Sequence, residues 1–253
     1  MLLAKGLFAQ VYLLASGLVL VASALVGRGP GFPRIDPGSD TPADPATTGY
    51  FLNHFSLNVQ NLTHSTAWYN QVLGLRLIFI FRATEKFSIA YMAHSHGGRN
   101  GTGYQTVREI NRQKNNMEGL LELVHYSDPT EPLVPSTVHA NTFGHFGVIV
   151  PDIPAAQARF EKLGVNFIKK AGEAAKLEGP IAESYGLGGV YERDPKEAEE
   201  LYQAVLAPGL MDFALVTDPD GNLIEVQSLY TPQLEFYGAS AVSGSGDCYV
   251  ELV

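Results

Sequence analysis

The sequence predicts an α+β chain made of two tandem βαβββ modules, and three observations carry that prediction. Asn53-His-Phe-Ser-Leu-Asn-Val-Gln-Asn61 and Phe143-Gly-His-Phe-Gly-Val-Ile-Val-Pro-Asp152 share one design: His-Phe opens an apolar run, Val follows five residues after the histidine, and an Asn or Asp able to cap a helix closes it. Each stretch then continues into helical spacing, a Leu-Gly break and a further strand. A third echo ends each half, where Glu118-Gly-Leu-Leu-Glu-Leu-Val124 answers Asp220-Gly-Asn-Leu-Ile-Glu-Val226. Correspondence at three successive places marks one unit written twice.

Composition fits that plan. A chain of 253 residues with 45% hydrophobic and 10% aromatic content can bury the cores of two small modules. The formal net charge of -9, with no cluster of Lys and Arg, argues against a nucleic-acid partner and says nothing positive about a substrate, which the metal-site reading below takes to be a small molecule. Cys248 is the single cysteine, so any metal must be held by nitrogen and oxygen.

In chain order, residues 1–27 carry Lys5 and then a long apolar run interrupted by Gln10 and Ser16, with Ala22-Ser-Ala24 at a spacing signal peptidase accepts. This reads as a secretory signal peptide. Uncleaved, the same run could anchor the chain in a bilayer, the one membrane contact the sequence suggests. Residues 28–49 are a Pro/Gly-rich linker. The first module, 50–126, reads as a strand over 51–59, a helix capped by Asn61 or Thr63 with Trp68, Tyr69 and Leu73 buried, strands over 75–81 and 87–94, and a last strand over 119–125. Residues 95–116 match no phosphate-binding pattern and read as a flexible loop at the mouth of a site. After a connector at 127–141, the second module, 142–230, has a helix over 154–163 and strands over 165–169, 211–216 and 223–229, the last two joined by Asp218-Pro-Asp-Gly221. An insertion at 171–210, with a helix capped at Asp194-Pro195, reads as a lid or a plain surface excursion. No structure is expected for the tail at 231–253.

The repeat puts His54 and His145 on the two first strands and Glu122 and Glu225 inside the two last strands. Glu122 shares its face with Leu120 and Val124, and no Lys or Arg lies on either glutamate strand. A carboxylate in such surroundings needs a cation. If the two sheets pack about a pseudo-twofold axis, all four side chains can face the space between them. Two imidazoles and two carboxylates balance a divalent ion and leave coordination positions open for a substrate. His94, His96 and His125 have no counterpart in the other module and read as rim or loop residues, while His64 and His139 carry no motif.

Residues 50–230 resemble the vicinal-oxygen-chelate superfamily of glyoxalases, bleomycin resistance proteins and extradiol dioxygenases, and within it the glyoxalase I (lactoylglutathione lyase) branch. The motifs are His54-Phe-Ser-Leu-Asn-Val59, Trp68-Tyr-Asn-Gln-Val-Leu-Gly-Leu75, Leu121-Glu-Leu123, the stretch 143–152 and Asp218-Pro-Asp-Gly-Asn-Leu-Ile-Glu225. The resemblance implies that His54, Glu122, His145 and Glu225 ligate one divalent ion (Zn, Ni or Co). It also implies that Glu225, with Glu122 as its partner, shuttles a proton between adjacent carbons of a hemithioacetal through a metal-steadied enediolate. Glutathione is the implied co-substrate and a homodimer an implied assembly, since relatives pair modules between chains. Three glutathione-anchor positions depart from the family: Asn58 and Asn141 stand where Arg is common, and Tyr126 where Asn is common. Lys169 and Lys170 remain as candidates for an anionic contact. Export agrees poorly with a glutathione-dependent enzyme, and the sequons at Asn61 and Asn100 fit a secreted glycoprotein. Two other readings are an Fe(II) extradiol-type dioxygenase and a non-catalytic binding protein of the same fold.

Overall fold

In the computed structural model, residues 38–97, 103–206 and 210–229 are described. The apolar N-terminal run, the Asn100 sequon and the tail from residue 230 lie outside them. No helix among the described residues is long and apolar enough to cross a membrane.

The first module runs β1 (His54–Asn58), α1 (Leu62–Leu73), β2 (Arg76–Arg82), β3 (Phe87–Ala93), α2 (Val107–Gln113) and β4 (Leu120–Tyr126). Its sheet has the order β1-β4-β3-β2, with β1 and β4 parallel and the other pairs antiparallel. The second runs β5 (His145–Val150), α3 (Ile153–Lys162), β6 (Phe167–Lys169), α4 (Gly179–Ser184), α5 (Val190–Arg193), α6 (Pro195–Leu206), β7 (Ala214–Thr217) and β8 (Leu223–Ser228). Its order, β5-β8-β7-β6, repeats the first.

Local chemistry explains the shared start of each module. Asn61 accepts from the His64 amide at 2.9 Å and Asp152 from the Ala155 amide at 2.9 Å, so each first strand ends at a capped helix. Of the two expected caps, Asn61 or Thr63, the structure uses Asn61. Gly74 ends α1 with φ 77°, a left-handed conformation that glycine adopts without a Cβ clash. The buried stripe of α1 is Leu62, Ser65, Thr66, Tyr69 and Val72; the expected Trp68 and Leu73 are only partly covered because they bridge two cores.

Three expectations need correction. β1 starts at His54, not Phe51, because its partner β4 starts at Leu120 and leaves Phe51 and Leu52 exposed. The stretch at 95–116 is not all loop: Thr106 and Glu109 form a reciprocal capping box that starts α2, and fully buried Ile110 packs with Ile78, Ala93, Met117 and Leu120. β7 starts at Ala214 rather than Met211, because a short 3-10 turn occupies Leu210–Asp212.

The two modules meet through the sheet faces that carry α1 and α3. The rings of Phe55 and Phe146 are 5.1 Å apart, and Trp68, Leu73 and Phe146 pack against both cores. Polar clips reinforce the contact: Tyr69 donates to Asp218 at 2.7 Å, the Gln60 amide to Asp220 at 2.9 Å, and Arg159 to the Gln71 carbonyl. Burial and the neighbouring Asp218 charge hold the Tyr69 phenol well above its ordinary pKa, so it stays a donor.

Candidate functional site

Strand parity decides where the four candidate ligands go. Adjacent residues of a strand point to opposite faces. Phe55 and Phe146 point into the contact between modules, so His54 and His145 point away from it, each onto the outer face of its own sheet. The structure thus pairs the candidates two and two, and the expectation that all four face a shared inter-module space does not hold within one chain. Among the described residues no three His, Cys, Asp or Glu side chains stand together as a metal cage.

The two pairs have the same register. His54 lies across from Leu120, with Glu122 two residues on; His145 lies across from Leu223, with Glu225 two residues on. In the first pair, Ser56 donates to Glu122 Oε1 at 2.9 Å. Tyr91, directly opposite Glu122 on β3, has its phenol pushed up to about 12 by burial and by its hydrogen bond to Glu122. The Tyr91 hydroxyl is 3.5 Å from His54 Nε2, and Phe79 stacks on the Tyr91 ring at 5.2 Å. His54 Nδ1 lies 3.0 Å from Asn53 Oδ1, which fixes the ring from the other side.

The second pair is more enclosed. Glu225 is only 6% exposed, and its Oε2 lies 3.3 Å from His145 Nε2. Tyr185 donates to the same oxygen at 2.6 Å, and Gln227 donates to Oε1. Burial works to raise the Glu225 pKa, but the hydrogen bonds from His145, Tyr185 and Gln227 outweigh it and hold the carboxyl below its ordinary range. His145 Nδ1 is buried without a hydrogen-bond partner. His145 Nε2 and the buried Glu225 carboxylate, which pairs with no Lys or Arg among the described residues, form a nitrogen–oxygen donor pair of the kind that fits a divalent cation.

Sequence reasoning missed Ser56, Tyr91, Tyr185 and Gln227. Ser56, Tyr91 and Gln227 could have been found from parity, since each lies on the same face as its glutamate. Tyr185 could not, because it comes from the insertion. Two of the three histidines read as rim or loop residues have structural partners for their rings: His94 Nε2 lies 2.7 Å from the Leu73 carbonyl and His125 Nδ1 3.0 Å from the Val59 carbonyl.

The positions that depart from the family cluster nearby. Asn58 and Asn141 line a cleft of about 330 Å³ with Ser56, His139, Phe143 and Asp220, and Asn58 and Tyr126 line a second of about 330 Å³. Neither lining includes Lys or Arg. Lys169 and Lys170 do not supply the missing cation. Lys169 is 2% exposed and donates to the carbonyls of Lys170 at 3.0 Å, Met211 at 3.4 Å and Phe213 at 2.6 Å, and burial lowers its pKa from 10.5 to about 8. Lys170 pairs with Glu161 at 2.5 Å and lies over the Phe167 ring.

Comparison with known proteins shows the family of the chain. The family model for the Glyoxalase/Bleomycin resistance protein/Dioxygenase superfamily matches residues 51–226. A lactoylglutathione lyase from Pseudomonas aeruginosa is 33% identical over 198 residues, covering 76% of this chain and 90% of that protein. One from Pseudomonas putida is 34% identical over 143 residues, covering 53% of this chain and 79% of its own length. A glyoxalase I structure from Leishmania major superposes with a TM-score of 0.43 at 18% identity, covering 76% of this chain and 94% of that one. With the family model spanning both modules from β1 to β8, the chain belongs to the glyoxalase/bleomycin resistance/dioxygenase superfamily and is glyoxalase I-like within it.

Proposed function

We propose that the protein is a metal-dependent lyase of glyoxalase I type, moving a proton between adjacent carbons of a hemithioacetal or related α-hydroxy carbonyl compound. Relatives at 33–34% identity support the lyase class. The site assignment rests on one observation, the identical register of His54 with Glu122 and of His145 with Glu225. Those four side chains would hold one divalent ion (nickel, cobalt or zinc). When bound, the ion supplies a Lewis acid that makes a proton next to the substrate carbonyl easier to remove. Glu225 takes that proton and returns it to the neighbouring carbon, with Gln227 and Tyr185 orienting its two oxygens. Glu122, held by Ser56 and Tyr91, is its counterpart across the site.

Since the two pairs turn away from each other in one chain, the site is completed by a second copy: the first-module face of one chain meets the second-module face of the other in a symmetric homodimer. Support comes from the outer face of the first sheet, where Phe81 is 57% and Tyr126 48% exposed on the side that carries Glu122. The cation-free clefts favour hemithioacetals of weakly charged thiols over the glutathione adduct, because a buried anion without a cationic fork binds poorly.

One mixing experiment tests site and assembly together. The variants His54→Ala and Glu225→Gln, each loaded with nickel, cobalt or zinc, should each lose activity on methylglyoxal hemithioacetals. Refolded together, they should recover about a quarter of parent activity, because half of the dimers carry one intact site in two. No recovery on mixing would remove the shared site, and an inactive parent with every metal and thiol would remove the lyase reading.

A further inference from the structure

The inserted segment reaches the second pair from outside the module plan. Just past α4, Tyr185 donates to Glu225 Oε2 at 2.6 Å and lays its ring 4.7 Å from the His145 ring, tilted by 37°. Three anchors seat that tyrosine. Glu183 Oε2 accepts from the Ala140 amide at 2.8 Å, and Ser184 Oγ lies 3.5 Å from Ser136 Oγ. The Ser184 carbonyl also comes so close to Gly144 that a Cβ there would lie 2.7 Å from it. Behind them, Leu177, Ile181 and Leu210 of the segment pack on Leu215 and Leu223 of the sheet. The segment is therefore fastened to the same strand start that carries His145.

A carboxylate turns easily about its last torsion unless donors fix both oxygens. Gln227, two residues along the same strand, holds Oε1 of Glu225, and the insertion holds Oε2. We infer that Tyr185 is a positioning residue for the lyase reaction: its hydroxyl sets the plane of the Glu225 carboxylate for metal binding and proton transfer, and its ring shields the His145 imidazole. The inference rests on the proposed lyase reading, and it gives the insertion a role as a part of the site instead of a loop beside it.

Tyr185→Phe keeps the ring and removes the donor. Groups that orient a metal-binding side chain contribute about ten- to a hundredfold to affinity or activity. The variant should therefore bind cobalt or zinc about tenfold more weakly in a competition titration and lose about tenfold in kcat at unchanged KM. Its thermal midpoint should move by no more than about 4 °C. Tyr202→Phe, in the same segment, should change none of these, and Tyr185→His, which returns a ring N–H, should recover part of the metal affinity. A Tyr185→Phe protein with parent affinity and parent kcat overturns the inference, as does one in which only KM rises. If the parent binds metal but turns over no hemithioacetal, the lyase reading fails while the affinity comparison still decides whether Tyr185 positions Glu225. A parent that binds no metal removes both.

Discussion

Lys169 shows how burial redirects a charged side chain. By position it could reach an anionic substrate, yet it is 2% exposed and its ammonium is spent on three backbone carbonyls, two of them beyond the far end of the insertion. It therefore clips together the two stems from which the insertion leaves and re-enters the sheet. Burial depresses its pKa from 10.5 to about 8, with Glu173 and Asp212 offsetting part of the effect. The sign of the stability change follows. Between those two values the unfolded chain still holds the proton that the folded chain has lost, so folding stability rises with pH from about 8 to about 10.5 on this residue's account. Urea unfolding followed from pH 7.5 to 10 should show that rise, and Lys169→Met should abolish it while costing about 1–3 kcal/mol at neutral pH through carbonyls left without a donor.

At the level of elements, the fold was largely legible because its signals are periodic and local. Caps at Asn61 and Asp152, the left-handed Gly74 and the Asp218-Pro-Asp-Gly221 turn all mark boundaries through chemistry that acts within a few residues. α2 was misread because its surroundings are polar and Gly-rich, although Thr106 and Glu109 announced its start. α4 was missed for a different reason: its stability comes from Ile181 packing on a sheet whose position sequence periodicity does not encode. That docking depends on close approach at Gly144. Gly144→Ala should force the Ser184 carbonyl away, lower stability by about 1–3 kcal/mol and speed protease cleavage within residues 171–210. Gly147→Ala, where an added Cβ meets nothing within 4 Å, should leave both unchanged. Equal effects of the two substitutions would show that the insertion is not held there.

Across the whole molecule, the pairing of His54 with Glu122 and of His145 with Glu225 was legible, but the direction in which the two pairs face was not. The repeat gave residue types and faces; which faces the modules turn toward each other depends on Phe55, Trp68, Tyr69 and Phe146 finding one another, a contact between residues far apart in sequence. If the site is shared between two copies, activity per chain should fall on dilution in step with the loss of dimer by light scattering or sedimentation. Constant specific activity into the monomer range would place the whole site in one chain. The Phe55–Phe146 contact carries a further consequence. Within each first strand, one side chain cements the scaffold and its immediate neighbour is turned to the candidate site, so a slip of a single residue in pairing would exchange those places, burying both imidazoles in the seam and turning both phenyl rings to water. On the proposed reading, faithful strand alignment during folding and competence at a metal are thus one and the same requirement.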